Sequence, residues 1–211
     1  MSIKKEYYKN LSNTVLKGFQ KRFIEGYYCE TSAEAKALAL SLVPANSKVS
    51  FGGSVTLEET GILAELRNRE DITLYDRATA TSIEETKQIM HDALSCDYYF
   101  MSSNAITADG ELVNIDGNGN RVAALIYGPE NVVIIAGMNK IVKNVEEGIS
   151  RTRNVASPQN CVRLNKNTPC AVNGVCGNCL SDTICDQIVI TRASRIPQRI
   201  KVILVGEELG F

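Results

Sequence analysis

Histidine is almost missing from this chain. Among 211 residues there is one, His91, so a histidine-rich metal site is excluded. Its place in a helical stretch between Met90 and Asp92 makes it a surface or packing residue. An excess of charge of either sign is also missing: 23 Lys and Arg stand against 24 Asp and Glu. That balance points to no nucleic acid and no anionic membrane. The locally basic run TRASRIPQRIK, residues 191–201, is brief and has no interleaved aromatics, so it reads as a solvated or anion-facing edge. Long apolar runs are absent, and Val132–Gly137 falls far short of a membrane span. The opening MSIKKEYYKN has no apolar core of a signal peptide. A cytoplasmic protein is therefore expected. GxGxxG and GxxxxGK[ST] are both lacking, which removes the dinucleotide fingerprint and the P-loop. No internal repeat is seen.

What remains is ordinary globular composition, 44% hydrophobic and 22% charged, enough for one domain or one domain with a small appendage. Tyr8, Leu11, Val15, Phe19 and Phe23 recur at helical spacing over 4–24, and Gly26 is read as the stop. A capping box at Thr31-Ser-Ala-Glu34 opens a second helix that ends before Pro44. Lys48–Phe51 reads as a strand, and Thr56-Leu-Glu-Glu59 opens a helix to about Leu66. Further strands are expected at 71–75, 98–101, 111–115, 131–136, 187–191 and 201–205. Further helices are expected behind Ser82 and from Val142, and 121–127 reads as a short helix or a strand, with Ala123 and Ala124 favouring helix. Residues 157–187 read as a cysteine-rich loop. Short strands alternating with capped helices give an α/β protein with a mostly parallel sheet flanked by helices.

The chain's densest turn chemistry lies between Ser102 and Lys140, with Asp109-Gly110, Asp116-Gly117 and a crowd of Asn114, Asn118, Asn120 and Arg121. Such a run can line a polar pocket as well as make plain hairpins. Asn139 and Lys140 follow the most apolar strand, where ligands sit in parallel sheets. Gly52, Gly53 and Ser54 stand between a strand and a helix, either as a plain loop or as anion-binding backbone. Glu59 is read as the partner of a capping box on Thr56. Glu58 is freer and is a candidate general base or nucleophile, with Asp109 and Lys140 as further catalytic candidates. The anion-binding candidates are Gly52, Gly53, Ser54, Asn120 and Asn139.

Seven cysteines in a reducing compartment are thiols or metal ligands rather than disulfides. Cys170, Cys176, Cys179 and Cys185 form C-x5-C-x2-C-x5-C, a set able to hold zinc or an iron–sulfur cluster. Cys161 could replace one of them. The alternatives are loop thiols or a redox pair of Cys176 and Cys179. Cys29 and Cys96 read as small buried hydrophobes.

The strings GGSVTLEETG, ADGELVNIDGNGNRVAALIYGP, VVIIAGMNKIV and VGEELGF resemble the LUD-domain family, relatives of lactate utilisation protein C. The resemblance spans about residues 30–211. It suggests an N-terminal helix over 1–28 and a LUD-like domain over 29–211. It implies the fold shared by ribose-5-phosphate isomerase and coenzyme A transferases. It also implies a part in an iron–sulfur-linked oxidoreductase for a small hydroxy acid such as lactate, with electron-transfer protein partners. In members the Asp109-Gly110 turn is often Thr-Gly, and the cysteine tail departs from the protein C type. Two other readings stand beside it. One is a sugar-phosphate isomerase or acyl-coenzyme A transferase-like enzyme with structural zinc. The other is a non-catalytic metal- or redox-responsive binder. A small anionic substrate is expected, and the tyrosine-rich first helix makes a homodimer plausible.

Overall fold

The computed structural model describes residues 2–211. Helix α1 (Ile3–Lys21) opens the chain, and the Ser2 hydroxyl caps it by accepting from Lys5 N. Strand β1 (Glu25–Cys29), α2 (Ser32–Ser41), β2 (Lys48–Phe51), α3 (Val55–Glu59), α4 (Ile62–Asn68) and β3 (Thr73–Tyr75) follow. Then come α5 (Ile83–Asp92), β4 (Tyr98–Met101), the hairpin β5 (Ala105–Thr107) and β6 (Leu112–Asp116), α6 (Asn120–Ile126) and β7 (Asn131–Gly137). The last third holds β8 (Ile141–Val142), α7 (Val145–Arg151), α8 (Ser157–Arg163), α9 (Pro169–Asn173), β9 (Gln187–Thr191) and β10 (Ile200–Val205).

Six strands form a wholly parallel sheet in the order β1-β10-β7-β4-β2-β3. A second sheet runs β8-β5-β6-β9, with β6 antiparallel to both its neighbours and β5 parallel to β8. The central strands are buried on both faces, which is why they read as continuous apolar runs. Val132, Ile134 and Ala136 of β7 join a core with Val15 and Phe19 of α1 and Ala124 and Leu125 of α6. Val133 and Ile135 face the other way, onto Ala35 and Ala39 of α2 and Ile62, Leu63 and Leu66 of α4. The α/β class with a mostly parallel sheet between helices is therefore as the sequence implied. No helix among the described residues is long and apolar enough to cross a membrane.

Four local expectations need correction. Gly26 does not end a helix but lies inside β1. A Cβ there would meet the Leu16 and Phe19 side chains at 2.7 Å, so glycine lets β1 pass close under α1. The helix behind Gly52-Gly53 is two helices, broken where Gly61 takes φ +71°, and its cap is Ser54, not Thr56. Residues 157–187 are not all loop. Helix continues from α7 into α8 through a π-helical turn, Thr152–Ala156, just ahead of Pro158. The proline ring and its missing N–H are accommodated at that shift of register. Finally, Arg199 of the basic run is not a solvated cation. Its guanidinium donates to the carbonyls of Ala124, Leu125 and Pro129 and so closes the end of α6.

Phe19 is fully buried between α1 and the large sheet. Phe19→Ala should cost about 3–5 kcal/mol, read as a lowered midpoint in urea unfolding; an effect near zero would mean that α1 is not part of the core.

Candidate functional site

A cavity of about 370 Å³ opens where the parallel strands end. Gly53 and Ser54 follow β2, Arg77 follows β3, Ser102 to Asn104 follow β4, Lys140 follows β7, and Gly210 follows β10; all of them line it. This is the carboxyl edge of the sheet, the usual ligand edge of a parallel α/β architecture. The opposite wall is built by Ile115 to Asn118, Asn120 and Arg121 of the hairpin side, and by α8 with Thr183 and Ile184.

Lys140 is 3% exposed at this edge. Its Nζ donates to Thr56 Oγ1 at 2.8 Å and to Ser102 Oγ at 3.0 Å. Burial pushes its pKa down from the ordinary lysine range to about 7, Arg151 and Arg121 push the same way, and Glu59 opposes them. The chain's end is drawn over the amine. Gly210 N donates to Glu59 Oε2 at 2.6 Å, and Leu209 N donates to Asn139 Oδ1 at 3.1 Å. Gly210 has φ +56°, and a Cβ on it would sit 2.6 Å from Thr56 Oγ1.

Arg121 is largely buried, and both terminal nitrogens of its guanidinium are engaged. It donates to Ser102 O, Asn114 Oδ1, Asn104 Oδ1 and Ile115 O at 2.6–3.2 Å, and its Nε is 3.5 Å from Asp116 Oδ2. Gly52 makes room for it, since a Cβ there would lie 3.0 Å from Arg121 Cδ. Arg151 likewise donates to Asn104 O at 2.6 Å and Asn139 O at 3.1 Å. Five side-chain cations line the cavity, Arg77, Arg121, Lys140, Arg163 and Lys166, against one side-chain carboxylate, Asp116. Arg121 is beside Asp116 and Lys166 is paired with Asp182. Arg77, Lys140 and Arg163 have no carboxylate partner among the described residues.

Of the catalytic and anion-binding candidates, the cavity brings together Gly53, Ser54, Asn120 and Lys140, and the Asp116-Gly117 turn with Asn118 and Arg121 lines it as the polar run implied. Glu58 and Asp109 do not line it. Glu58 is an exposed helical side chain, while Asp109 is held by Arg22 at 2.9 Å beneath α1. Gly52 and Asn139 act behind the wall, and Glu59 ties the chain end rather than capping a helix. Thr56, Ser102 and Arg77 were missed. Their only signal was position, just beyond an apolar strand, and nothing in their residue type marks them.

A family model described as LUD domain matches residues 13–205. The chain belongs to the LUD-domain family. A DUF162 family protein from Deinococcus radiodurans is similar in structure over 97% of this chain and 99% of its own, with TM-score 0.51 and 13% identity. The eIF2B delta of Chaetomium thermophilum aligns over 56% of this chain and 50% of its own, with TM-score 0.36 and 16% identity. No curated protein matches.

In this LUD-domain chain the cysteines sit beside the cavity. Cys185 Sγ lies 3.3 Å from Ser157 Oγ, and Ser157 and Ile184 both line the cavity. The thiol of Cys161 is buried in α8 and pushed up to about 11, by burial first, with Cys170 and Cys185 as neighbours. Cys176 is pushed the other way by the backbone N–H of Asn178 and by Arg153, whose Nη2 is 3.4 Å away. Cys29 and Cys96 are buried, as expected. Among the described residues no three Cys, His, Asp or Glu side chains converge as ligands of one ion. Cys170, Cys176, Cys179 and Cys185 thus do not form a tetrathiolate in the arrangement described.

Lys140 gives the site a pH signature. Its folded pKa of about 7 lies below the free-lysine value of 10.5, so the buried amine costs no stability above pH 10.5. The cost grows as pH falls toward 7 and is constant below it. Lys140→Met should therefore gain stability over the wild type as pH is lowered from 10 to 7, by an amount on the order of a few kcal/mol. Paired urea titrations across that range measure it; a difference independent of pH would show that Lys140 titrates normally.

Proposed function

We propose that this chain is an enzyme acting on a small metabolite that carries a carboxylate or phosphate, with Lys140 as the reacting group. The observation that carries the reading is the trio of Arg77, Lys140 and Arg163, three cations on one 370 Å³ cavity with no carboxylate partner. Cations gathered on one cavity without a carboxylate partner repel one another and are stabilised when an anion enters. The exposed Arg77 guanidinium beside Gly53 can swing onto the ligand, and a Cβ at residue 53 would crowd it at 2.5 Å. Asn104, Asn120 and Ser102 supply polar groups around the remainder of the ligand. An amine with a pKa near neutrality can take or give a proton at the operating pH. The kinship to ribose-5-phosphate isomerase and coenzyme A transferases belongs to this reading, and a small 2-hydroxy acid such as lactate has the same anionic handle.

A panel of inorganic phosphate, ribose 5-phosphate, L-lactate, pyruvate and neutral ribose tests it by thermal shift and calorimetry. Stabilisation by charged members only, weakened by salt and by Arg77→Ala or Arg163→Ala by about tenfold in Kd, is the expected result. Equal binding of neutral ribose, or no binding by any anion, rules the reading out.

A second reading keeps an iron–sulfur or zinc centre on the cysteine segment, and with it a role as an electron-transferring component of a hydroxy-acid oxidoreductase. Its support is that Cys170 and Cys185 lie near enough to act on the Cys161 thiol, and Cys170 and Cys176 near enough to act on that of Cys185. It predicts metal in protein purified without oxygen, with acid-labile sulfide if a cluster is bound, and loss of that metal in Cys170→Ser and Cys185→Ser. Metal-free protein would end it.

A further inference from the structure

The hydrogens around Lys140 can be counted. Thr56 Oγ1 lies 3.4 Å from Leu209 O, and Ser102 Oγ lies 3.4 Å from Ser103 O. Each hydroxyl thus has a backbone carbonyl to which its hydrogen can turn, and its oxygen accepts from Nζ. They fix two hydrogens of the nitrogen, at 2.8 and 3.0 Å. One tetrahedral position is left over. In the ammonium form it is a third N–H, and in the neutral form it is the lone pair. No carboxylate among the described residues is paired with Nζ; Arg151 and Arg121 oppose its charged form, and Glu59 favours it without reaching it. Lys140 lines the cavity, so the leftover position is the one a ligand meets. An amine oriented by two acceptors, with its lone pair free toward a cationic cavity, is arranged as a nucleophile rather than as a salt-bridge donor.

We propose that Lys140 forms an imine with the carbonyl carbon of a small aldehyde or ketone that also bears a carboxylate or phosphate. The inference rests on the small-anion reading of the cavity and narrows it to carbonyl compounds. The Nζ lone pair forms the new N–C bond while the C=O π pair moves onto oxygen, giving a carbinolamine. That oxygen then leaves as one molecule of water. It takes with it, in sum, both hydrogens of the neutral amine, and a C=N bond remains. Nothing is oxidised or reduced. Thr56 and Ser102 release their hold on those hydrogens as the nitrogen changes from three single bonds to a double bond. Arg77 and Arg163 balance the ligand's anionic end. Once formed, the imine draws electrons from the adjacent carbon and makes its C–H acidic, which is the chemistry that moves a carbonyl along a carbon chain.

The test uses the intact wild-type protein with pyruvate as the carboxylate probe and dihydroxyacetone phosphate as the phosphate probe. Each is added with sodium cyanoborohydride, and the modified lysines are mapped by peptide mass. The expected product is a secondary amine at Lys140, heavier by the probe less one oxygen. It should form in marked preference to the exposed lysines, with a rate that climbs through about pH 7. The preference should vanish in urea and the adduct in Lys140→Arg. Labelling by pyruvate alone or by the phosphate alone assigns the anionic handle. Labelling spread evenly over surface lysines overturns the proposal. So does stabilisation by the probes with no adduct at Lys140, an outcome that leaves the small-anion reading standing. Neither stabilisation nor adduct would remove both.

Discussion

The cavity depends on one guanidinium. Arg121 leaves α6 and binds Ser102 at the end of the large sheet, Asn104 at the crossing, and Asn114 and Ile115 on the small sheet. A charge so largely withdrawn from water is tolerated because its two terminal nitrogens are matched with acceptors and a carboxylate stands beside it. The same guanidinium sets the electrostatics of the floor, for it and Arg151 both disfavour a charged Lys140. The contacts that join the two sheets thus also add to the lowering of the Lys140 pKa, behind burial and Arg151.

Much of the fold could be read from the sequence because the signals were local. Strands β2 and β4 were placed at their bounds because apolar residues sit between clear turn residues. Helices α2 and α5 were marked by Thr31 and Ser82, whose hydroxyls accept from the N–H three residues on. What failed was set by tertiary contact. Gly26 looks like a stop until Phe19 is seen pressed against it. Pro158 looks like a loop residue until the π turn ahead of it is seen. The site was legible only in part for the same reason. Lys140 and Gly53 stand in visible turn chemistry. Thr56 and Ser102, which fix the amine, are ordinary residues whose value comes from meeting across strands distant in the sequence. Glu58 had the right chemistry on the wrong face, and Asp109 was already committed to Arg22.

The cysteine segment is not an appendage to this arrangement. Ser157, Asn160, Arg163, Thr183 and Ile184 give the cavity its outer wall, and α8 and the residues before Cys185 hold them there. Gly117 presses on the Ile184 backbone, where a Cβ would find Cα at 3.3 Å. Any change of state at Cys161, Cys170 or Cys185 would therefore alter the wall that carries Arg163, while the floor around Lys140 is built from other strands.

The order of strands has a consequence for how the chain is made. β1 has a single neighbour in the sheet, β10, and β10 lies between β1 and β7. Strand β1 cannot take its place until β10 has emerged from the ribosome, and β7 keeps one edge open for as long. Loop closure across nearly the whole chain must precede the final sheet. The core of α1 against this edge is thus completed late, and until then the nascent protein exposes two unpaired apolar edges, the form in which a parallel sheet is most prone to aggregate.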